Sequence, residues 1–229
     1  MEFVDVATEQ TTAITDLINF FLAIALAYVI LRSGHSGDRG RSEYWASVFI
    51  LIGLASGLGA VTHGVELSEN SERILWIPIN LSLGLAVSIF LTVVILEMWG
   101  PSGARKSLPY LLAVGIGFFS MTLLIPGIFL LFIAYLGIST IFSLAVYIRL
   151  WEKRGDSIHK LMTIILSTSI IFSILFAVIR LTGSAKMRII WEFDQNGFFH
   201  AAQSAAMIIL ALGIRSQLRS LEGEDHSSP

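Results

Sequence analysis

Seven apolar segments, each about as long as a helix that crosses a bilayer, take up most of this chain of 229 residues. A membrane-spanning helix needs about 20 mainly apolar residues, and none of these segments alternates with period two as a barrel strand would. The sequence therefore predicts an all-α protein, a bundle of seven transmembrane helices. The predicted spans are residues 12–31, 44–63, 74–98, 108–125, 127–150, 161–181 and 197–214.

The composition supports a membrane protein and excludes several other classes. Hydrophobic residues make up 55% of the chain and charged residues 14%, where about 25% charged is usual for soluble domains. The absence of cysteine excludes a disulfide scaffold. The formal net charge of -2 offers no attraction for a polyanion. We therefore expect membrane lipids around the protein and no nucleic acid as a partner. Whether it associates with other membrane subunits stays an open question.

The basic residues predict the orientation of the bundle, because cytoplasmic loops carry an excess of lysine and arginine. Eleven of the fifteen lie on one side, in the connections after the first, third and fifth spans and in the C-terminal tail. We therefore expect the N-terminus outside and the C-terminus in the cytoplasm. Residues 1–221 form a single membrane domain in this prediction, and residues 222–229 form a disordered polar tail. The eleven are Arg32, Arg39, Arg41, Arg105, Lys106, Arg149, Lys153, Arg154, Lys160, Arg215 and Arg219.

Polar side chains inside the predicted spans collect toward the outer surface. A polar group in a bilayer is costly and therefore indicates function or interhelical bonding. Asn196, His200 and Gln203 are spaced four and three apart and so share one helical face. Faces of this kind, turned inward, predict one pocket open to the outside. The polar residues are Asp16, Asn19, Ser56, His63, Asn80, Asn196, His200 and Gln203.

The residue types in this pocket favour a zinc site. Two imidazoles and one carboxylate are a plausible ligand set that leaves a fourth position for water. Zinc lowers the pKa of that water to near 7 and so supplies a hydroxide for hydrolysis. The predicted function is a metal-dependent membrane hydrolase acting on a lipid or other amphiphile. The metal ligands would be Asp16, His63 and His200. Of the catalytic residues, Asn196 and Gln203 would orient the ligands or the substrate, and Ser56 would support the ligands or donate a hydrogen bond to an oxyanion.

Other functions remain open at this stage. The alternative is a non-catalytic membrane subunit, or a binder of a small ligand or of haem with His63 and His200 as axial ligands. A carrier is a further alternative. Retinal is excluded because all four lysines lie outside the interiors of the predicted spans. Away from the pocket, Glu97 is expected to reach water or Arg105, and His159 is expected at the membrane interface.

Residues 193–203 read FDQNGFFHAAQ, and this segment resembles the final-helix signature of a group of uncharacterised bacterial seven-helix membrane proteins. Those proteins pair such a segment with a glycine-rich second helix that ends in His-Gly, as this chain has at residues 63–64. The resemblance implies the plasma (inner) membrane of a bacterium as the location.

That bacterial group is in turn similar in layout to the superfamily of alkaline ceramidases and progestin/adiponectin receptors. The resemblance implies zinc-dependent hydrolysis in the membrane, with a serine and a histidine in an early helix and a histidine pair in the last one. Ser56 and His63 match the early elements, and His200 matches the second histidine of the pair. Asn196 stands where that superfamily has the first histidine.

Overall fold

The fold is helical almost throughout, as the sequence predicts. A computed structural model describes residues 2–34, 39–125, 129–182, 187–188 and 192–225. The described residues form six helices, and the strands are limited to one antiparallel pair of two residues each between the last two helices. The predicted all-α class is therefore confirmed. In chain order the elements are α1 (Ala7–Ser33), α2 (Arg39–Gly64), α3 (Glu69–Leu124), α4 (Phe129–Arg154), α5 (Ser157–Thr182), β1 (Met187–Arg188), β2 (Glu192–Phe193) and α6 (Gln195–Asp225).

Helix length and apolarity mark the chain as an integral membrane protein. Within the described residues, five helical segments are long and apolar enough to cross a membrane. The start of the predicted fifth span, at residue 127, lies outside the described residues. The five segments are Ala7–Ser33, Arg39–Gly64, Glu69–Leu124, Ala134–Arg154 and Asn196–Arg219.

Helix α3 is folded into a hairpin. A straight helix of its 56 residues would be about 84 Å long. At Gly100 the backbone has φ 71° and ψ -174°, a region that essentially only glycine occupies. The bend divides the helix into a first arm, residues 69–99, and a second arm, residues 101–124. The two arms contact each other, since a Cβ atom on Gly84 would lie only 2.9 Å from the carbonyl oxygen of Gly115. The predicted spans 74–98 and 108–125 occupy these two arms.

Helices α1 and α2 pack closely because glycines on α2 face α1. A Cβ atom on Gly53 would lie 3.3 Å from Cβ of Ala23, and one on Gly57 would lie 2.9 Å from the ring of Phe20. Small residues let helix backbones in a membrane approach in this way. Beyond the helices, Phe3 and Val65 form an antiparallel bridge. This bridge ties the N-terminal segment to the end of α2.

In its first half, α1 is polar on the side that faces the bundle and apolar on the side that faces outward. Asp16 and Asn19 are at most 2% exposed, whereas Ile18 and Phe21 on the same helix are 50% and 63% exposed. Water would not favour this arrangement, but a bilayer does, since lipid tails solvate apolar side chains and cannot solvate polar ones. The buried polar face of α1 therefore points at its neighbours α2 and α6.

Helix α6 runs to Asp225. Residues 222–225 of the predicted polar tail are accordingly helical, and residues 226–229 lie outside the described part of the chain. Toward this end of the bundle, apolar side chains from several helices form one buried cluster. The cluster includes Trp45, Phe49, Val93, Ile214 and Leu218.

Candidate functional site

Two ends of the bundle carry its buried ionisable groups, and each is named here after one glutamate. The Glu9 end contains the start of α1, the end of α2, and the starts of α3 and α6. The Glu97 end contains the start of α2, the bend of α3, the end of α4 and the start of α5. The predicted pocket residues all belong to the Glu9 half of the bundle.

The centre of the Glu9 half is a carboxylate–imidazole pair. Oδ1 of Asp16 lies 3.2 Å from Nδ1 of His200, and Asp16 is only 2% exposed. The hydroxyl of Ser56 faces the same carboxylate. A Cβ atom on Gly59 would lie 2.6 Å from Oδ2 of Asp16, so this carboxylate fits only because residue 59 is glycine. One carboxylate thus joins α1, α2 and α6.

Amide and hydroxyl groups extend the pair along the contact between α1 and α6. Nδ2 of Asn19 donates to the carbonyl oxygen of His200 at 3.0 Å and lies 3.4 Å from Oε1 of Gln203. Nδ1 of His200 also lies 3.4 Å from Oε1 of Gln203, and Ser204 donates to Oδ1 of Asn19. Polar groups buried in this way are held by their partners, so the network fixes α6 against α1. The structure therefore brings together four of the predicted residues: Asp16, Ser56, His200 and Gln203.

Asn196 lies one turn before His200, in the first turn of α6. Its backbone N–H and that of Gly197 each donate to Oδ1 of Asp194 at 3.0 Å, so Asp194 caps the helix. Thr12 also donates to that oxygen, at 3.4 Å. The catalytic role of Asn196 stays a prediction.

The sequence analysis missed a stripe of threonines on α1. Thr8, Thr12 and Thr15 are buried, with exposures of 7%, 0% and 6%. Together with Asp16 and Asn19 they recur every three or four residues, which is the spacing of one helical face. That spacing is visible in the sequence and would have predicted an inward polar face longer than two residues.

His63 pairs with a carboxylate on α1. Its Nδ1 lies 2.6 Å from Oε2 of Glu9, a residue that the sequence analysis left outside the spans. Its ring meets Trp76 edge to face, with the ring centroids 6.4 Å apart. Trp76 in turn donates from Nε1 to Oε1 of Glu72 at 3.4 Å. His63 therefore belongs to a second group of side chains, which lies nearer the Glu9 end of the bundle than the Asp16–His200 pair does.

This second group lines a cavity of about 480 Å³ at the Glu9 end. Three carboxylates, one imidazole and one indole contribute to its wall, and no lysine or arginine side chain of the described residues does. Val65, which forms the bridge to Phe3, also lines it. We name this space the Glu9 cavity, and its polar wall consists of Glu9, His63, Glu66, Glu72 and Trp76.

The predicted zinc ligands are divided between these two groups. Asp16 contacts His200, whereas His63 contacts Glu9. Within the described part of the chain, no three histidine, aspartate or glutamate side chains converge as a metal site. The zinc site and its hydrolytic role stay predictions.

The geometry of Ser56 also bears on catalysis. A serine nucleophile needs a base beside its hydroxyl and a third group that orients that base. Here the carboxylate of Asp16 stands between the hydroxyl of Ser56 and the imidazole of His200. The order of these groups differs from the serine–histidine–aspartate order of hydrolytic triads.

A second buried cluster at the Glu97 end was not predicted. Glu97 is 4% exposed and lies 3.1 Å from Nη1 of Arg41, so the expectation that it reaches water or Arg105 is wrong. Helix α2 begins five residues before the predicted span, which brings Arg41 into the bundle. Nε2 of Gln217 also lies 3.4 Å from Oε1 of Glu97.

His159 is buried against other helices in the same cluster. It is 2% exposed, and its Nε2 lies 3.7 Å from Oε2 of Glu97. Oδ1 of Asp156 accepts a hydrogen bond from the backbone N–H of His159 at 2.9 Å and lies 2.6 Å from Nδ1 of the His159 ring. Asp156 therefore caps the start of α5. Burial acts to raise the pKa of Asp156, but the hydrogen bonds from His159 outweigh it and lower that pKa. Burial acts to lower the pKa of His159, but the nearby carboxylates of Glu97 and Asp156 outweigh it and raise that pKa.

Comparison with known proteins gives a family without an assigned activity. Residues 11–219 match the profile of a family of unknown function, DUF6962, so the chain belongs to that family. No curated protein and no solved structure matches the chain.

Proposed function

We propose that the chain crosses the membrane seven times, with the Glu9 end outside the cell and the Glu97 end in the cytoplasm. The crossings are α1, α2, the two arms of α3, α4, α5 and α6. The hairpin at Gly100 supports this count, because it returns the second arm toward the Glu9 end. The basic residues around the Glu97 end support the orientation. The membrane would be the plasma membrane of a bacterium.

Within that topology we propose that the protein binds a small organic cation from the outside, in the Glu9 cavity, and does not catalyse a reaction on it. The observation that carries this proposal is the wall of the cavity, which combines carboxylates with the rings of His63 and Trp76. Its volume of about 480 Å³ lies within the range of about 300–1,000 Å³ usual for ligand pockets.

The charge of the wall selects a cation. Glu9, Glu66 and Glu72 contribute three carboxylates, and only His63 can offset them. Glu66 and Glu72 are exposed, so an incoming cation can reach their carboxylates directly from the solvent. A cleft lined by one sign of charge concentrates ligands of the other sign.

The aromatic rings favour an organic cation over a metal ion. An ammonium group over the face of an indole gains about 0.5–2 kcal/mol, and recognition of quaternary ammonium groups uses this interaction. A metal ion would require several oxygen or nitrogen ligands at about 2.0–2.6 Å from one point. The described residues contain no such convergent group of three.

The Asp16 pair has a supporting role in this proposal. Glu9 and His63 lie on α1 and α2, one or two helical turns from Asp16 and Gly59 on the same two helices. By joining α1, α2 and α6 at one carboxylate, the pair holds the helix ends that form the cavity. Ligand affinity then depends on the pair indirectly, through the positions of Glu9 and His63.

Calorimetric titration of the full-length protein in detergent tests the proposal with choline as the probe. The control ligand is the uncharged alcohol in which carbon replaces the ammonium nitrogen of choline. Choline should bind at one site and the alcohol much more weakly. Glu72→Gln should weaken choline binding by about fivefold, since loss of one close charge costs about 1 kcal/mol. Glu69→Gln is the matched control, because both glutamates lie in the first turn of α3 and Glu69 does not line the cavity.

Three results would contradict the proposal. Equal binding of the uncharged alcohol would mean that charge is not recognised. Equal effects of Glu72→Gln and Glu69→Gln would mean that the net charge of the surface, and not the cavity, attracts choline. Binding of Zn²⁺ or Ca²⁺ that excludes choline would make the cavity a metal site.

The zinc hydrolase remains a second candidate, and the contact between Asp16 and His200 is the observation that favours it. Two of three proposed ligands would already be adjacent, and His63 would have to exchange Glu9 for the metal. Metal analysis of protein purified without chelators tests it. The hydrolase predicts about one equivalent of zinc, lost in His200→Ala and in His63→Ala. Metal-free protein that still binds choline would favour the cation-binding function.

A further inference from the structure

A second cavity lies at the Glu97 end, where the first arm of α3 meets the end of α4. It has a volume of about 320 Å³. Arg149, Lys153 and Arg154 line it together with Trp99. Apolar side chains, among them Leu150, form the rest of its wall. We name this space the Arg149 cavity.

The Arg149 cavity carries three positive charges that no carboxylate at its wall offsets. No aspartate or glutamate of the described residues lines it. Glu97, the buried acid of the cluster described above, is paired through its side chain with Arg41. Arg154 donates from Nη2 to the backbone oxygen of Glu97 at 3.3 Å, and its charge also acts on Asp156. The exposed Arg149 and Lys153 are therefore the cations that meet a ligand first. The cavity is therefore suited to an anion.

The position of the three cations on α4 follows from the helix. Arg149 and Lys153 are four residues apart and so lie on one face, and Lys153 and Arg154 stand in the last turn. The C-terminal end of a helix favours positive side chains, because the backbone carbonyls there carry partial negative charge. The charges are thus stable in this position before any ligand binds.

We propose that the Arg149 cavity binds the phosphodiester headgroup of an anionic phospholipid. Arginine and lysine are the side chains that bind phosphate, and basic pockets between transmembrane helices on the cytoplasmic side bind such headgroups. The apolar wall distinguishes a lipid from free phosphate, because acyl chains would contact Met98 and Trp99 while the phosphate meets the cations. Trp99 is 56% exposed at the same edge, as indoles at a membrane interface usually are.

Thermal unfolding of the full-length protein in an uncharged detergent tests this proposal. Phosphatidylglycerol is added to one sample, phosphatidylcholine to a second and inorganic phosphate to a third. Only phosphatidylglycerol should raise the unfolding temperature. Native mass spectrometry of the same samples should show about one retained phosphatidylglycerol per protein.

The variant Arg149→Gln/Lys153→Gln should lose this stabilisation. Each cation near a lipid surface is worth about a fivefold change in affinity, so the two together predict a loss of about thirtyfold. Both side chains are exposed, so the variant should fold and unfold like the wild type when no lipid is present. The matched control is Arg105→Gln/Lys106→Gln, which removes two exposed cations at the same end outside the cavity.

Several outcomes would overturn the proposal. Equal losses in the two double variants would show general attraction between a basic surface and an anionic lipid. Equal stabilisation by phosphatidylcholine would show that charge is not recognised. A shift produced by inorganic phosphate alone would make this a site for a soluble phosphate. If unfolding without lipid already differs in Arg149→Gln/Lys153→Gln, the count of retained lipids decides, and an unchanged count overturns the proposal.

Discussion

The carboxylate of Asp16 lies 3.2 Å from the imidazole of His200. These residues come from the first and the last helix, and their contact closes the ring of helices at the Glu9 half of the bundle. Ser56 and Gly59 supply the third side from α2. A polar contact of this kind between helices far apart in sequence specifies which helices are neighbours, because a misplaced helix would leave the carboxylate without a partner in an apolar medium.

The pair should show energetic coupling in a double-mutant cycle. Asp16→Ala and His200→Ala should each lower the free energy of unfolding by about 1–3 kcal/mol, since each leaves a buried polar group without its partner. The double variant should lose less than the sum, by about 1 kcal/mol, the scale found for hydrogen bonds between membrane helices. Unfolding in mixed micelles measures these energies. A cycle of His200→Ala with Leu17→Ala, whose side chain is 46% exposed beside Asp16, should give coupling near zero.

Gly59 should be indispensable to the same site. A Cβ atom there would meet Oδ2 of Asp16 at 2.6 Å, so Gly59→Ala must displace either the carboxylate or the helix. We expect a loss of about 1–3 kcal/mol in unfolding free energy. Gly137→Ala on α4 is the control, because nothing lies within 4 Å of its Cβ position, and it should be neutral or stabilising by up to about 1 kcal/mol. Equal effects of the two substitutions would contradict the packing described for Asp16.

The hairpin of α3 predicts different tolerance at two nearby glycines. Gly115 faces the first arm, where a methyl group would collide with the hydroxyl of Ser88, whereas nothing lies within 4 Å of the Cβ position of Gly117. Gly115→Ala should therefore lower the unfolding temperature, and Gly117→Ala should leave it unchanged or raise it. A straight α3 would place neither glycine against the first arm, and the two variants would then behave alike.

Stability should depend on pH through Asp156 and His159. Asp156 has a lowered pKa, so its contribution is present above the ordinary aspartate value of 3.8 and is lost as the pH falls through its folded pKa. His159 has a raised pKa, so its contribution is complete below 6.5 and is lost as the pH rises through its folded pKa. The two therefore contribute together between about pH 3.8 and 6.5. Unfolding temperatures of the wild type should be highest within this range and should fall as the pH rises above 6.5.

The variant Asp156→Asn isolates that effect. It keeps an acceptor for the backbone N–H of His159 but removes the charge that faces the imidazole. Glu97 still faces the ring at 3.7 Å and Arg154 still acts on residue 156, so part of the dependence should remain. The fall above pH 6.5 should be smaller in the variant than in the wild type. An identical pH profile would contradict the assignment.

Apolar run length predicted the helices, because a segment that must satisfy its backbone hydrogen bonds in lipid has few alternatives to a helix. The meeting of Asp16, Ser56, His200 and Gln203 also follows from helical spacing and shared depth. The partner of His63 could not be predicted in this way. Glu9 precedes the apolar run and lies outside the predicted first span, whereas α1 begins at Ala7 and carries Glu9 into the bundle.

The cluster at the Glu97 end escaped prediction for a related reason. Arg41 stood in a predicted loop, and only the earlier start of α2 and the bend at Gly100 bring it to Glu97. Both features depend on how the helices pack, which spacing along one helix does not contain. His159 likewise reads as interfacial from its position, and its burial depends on Tyr147 and Glu97 from other helices.

The central claim is that the Glu9 cavity opens to the outside while the Arg149 cavity faces the cytoplasm. The chain has no cysteine, so single cysteines can be introduced without background. Glu66→Cys places a thiol at the Glu9 cavity, and Ser102→Cys places one beside the bend of α3, at exposed positions in both cases. A membrane-impermeant maleimide applied to intact cells should label Glu66→Cys, and it should label Ser102→Cys only after the membrane is permeabilised. Labelling of Ser102→Cys in intact cells, with Glu66→Cys protected, would contradict the account.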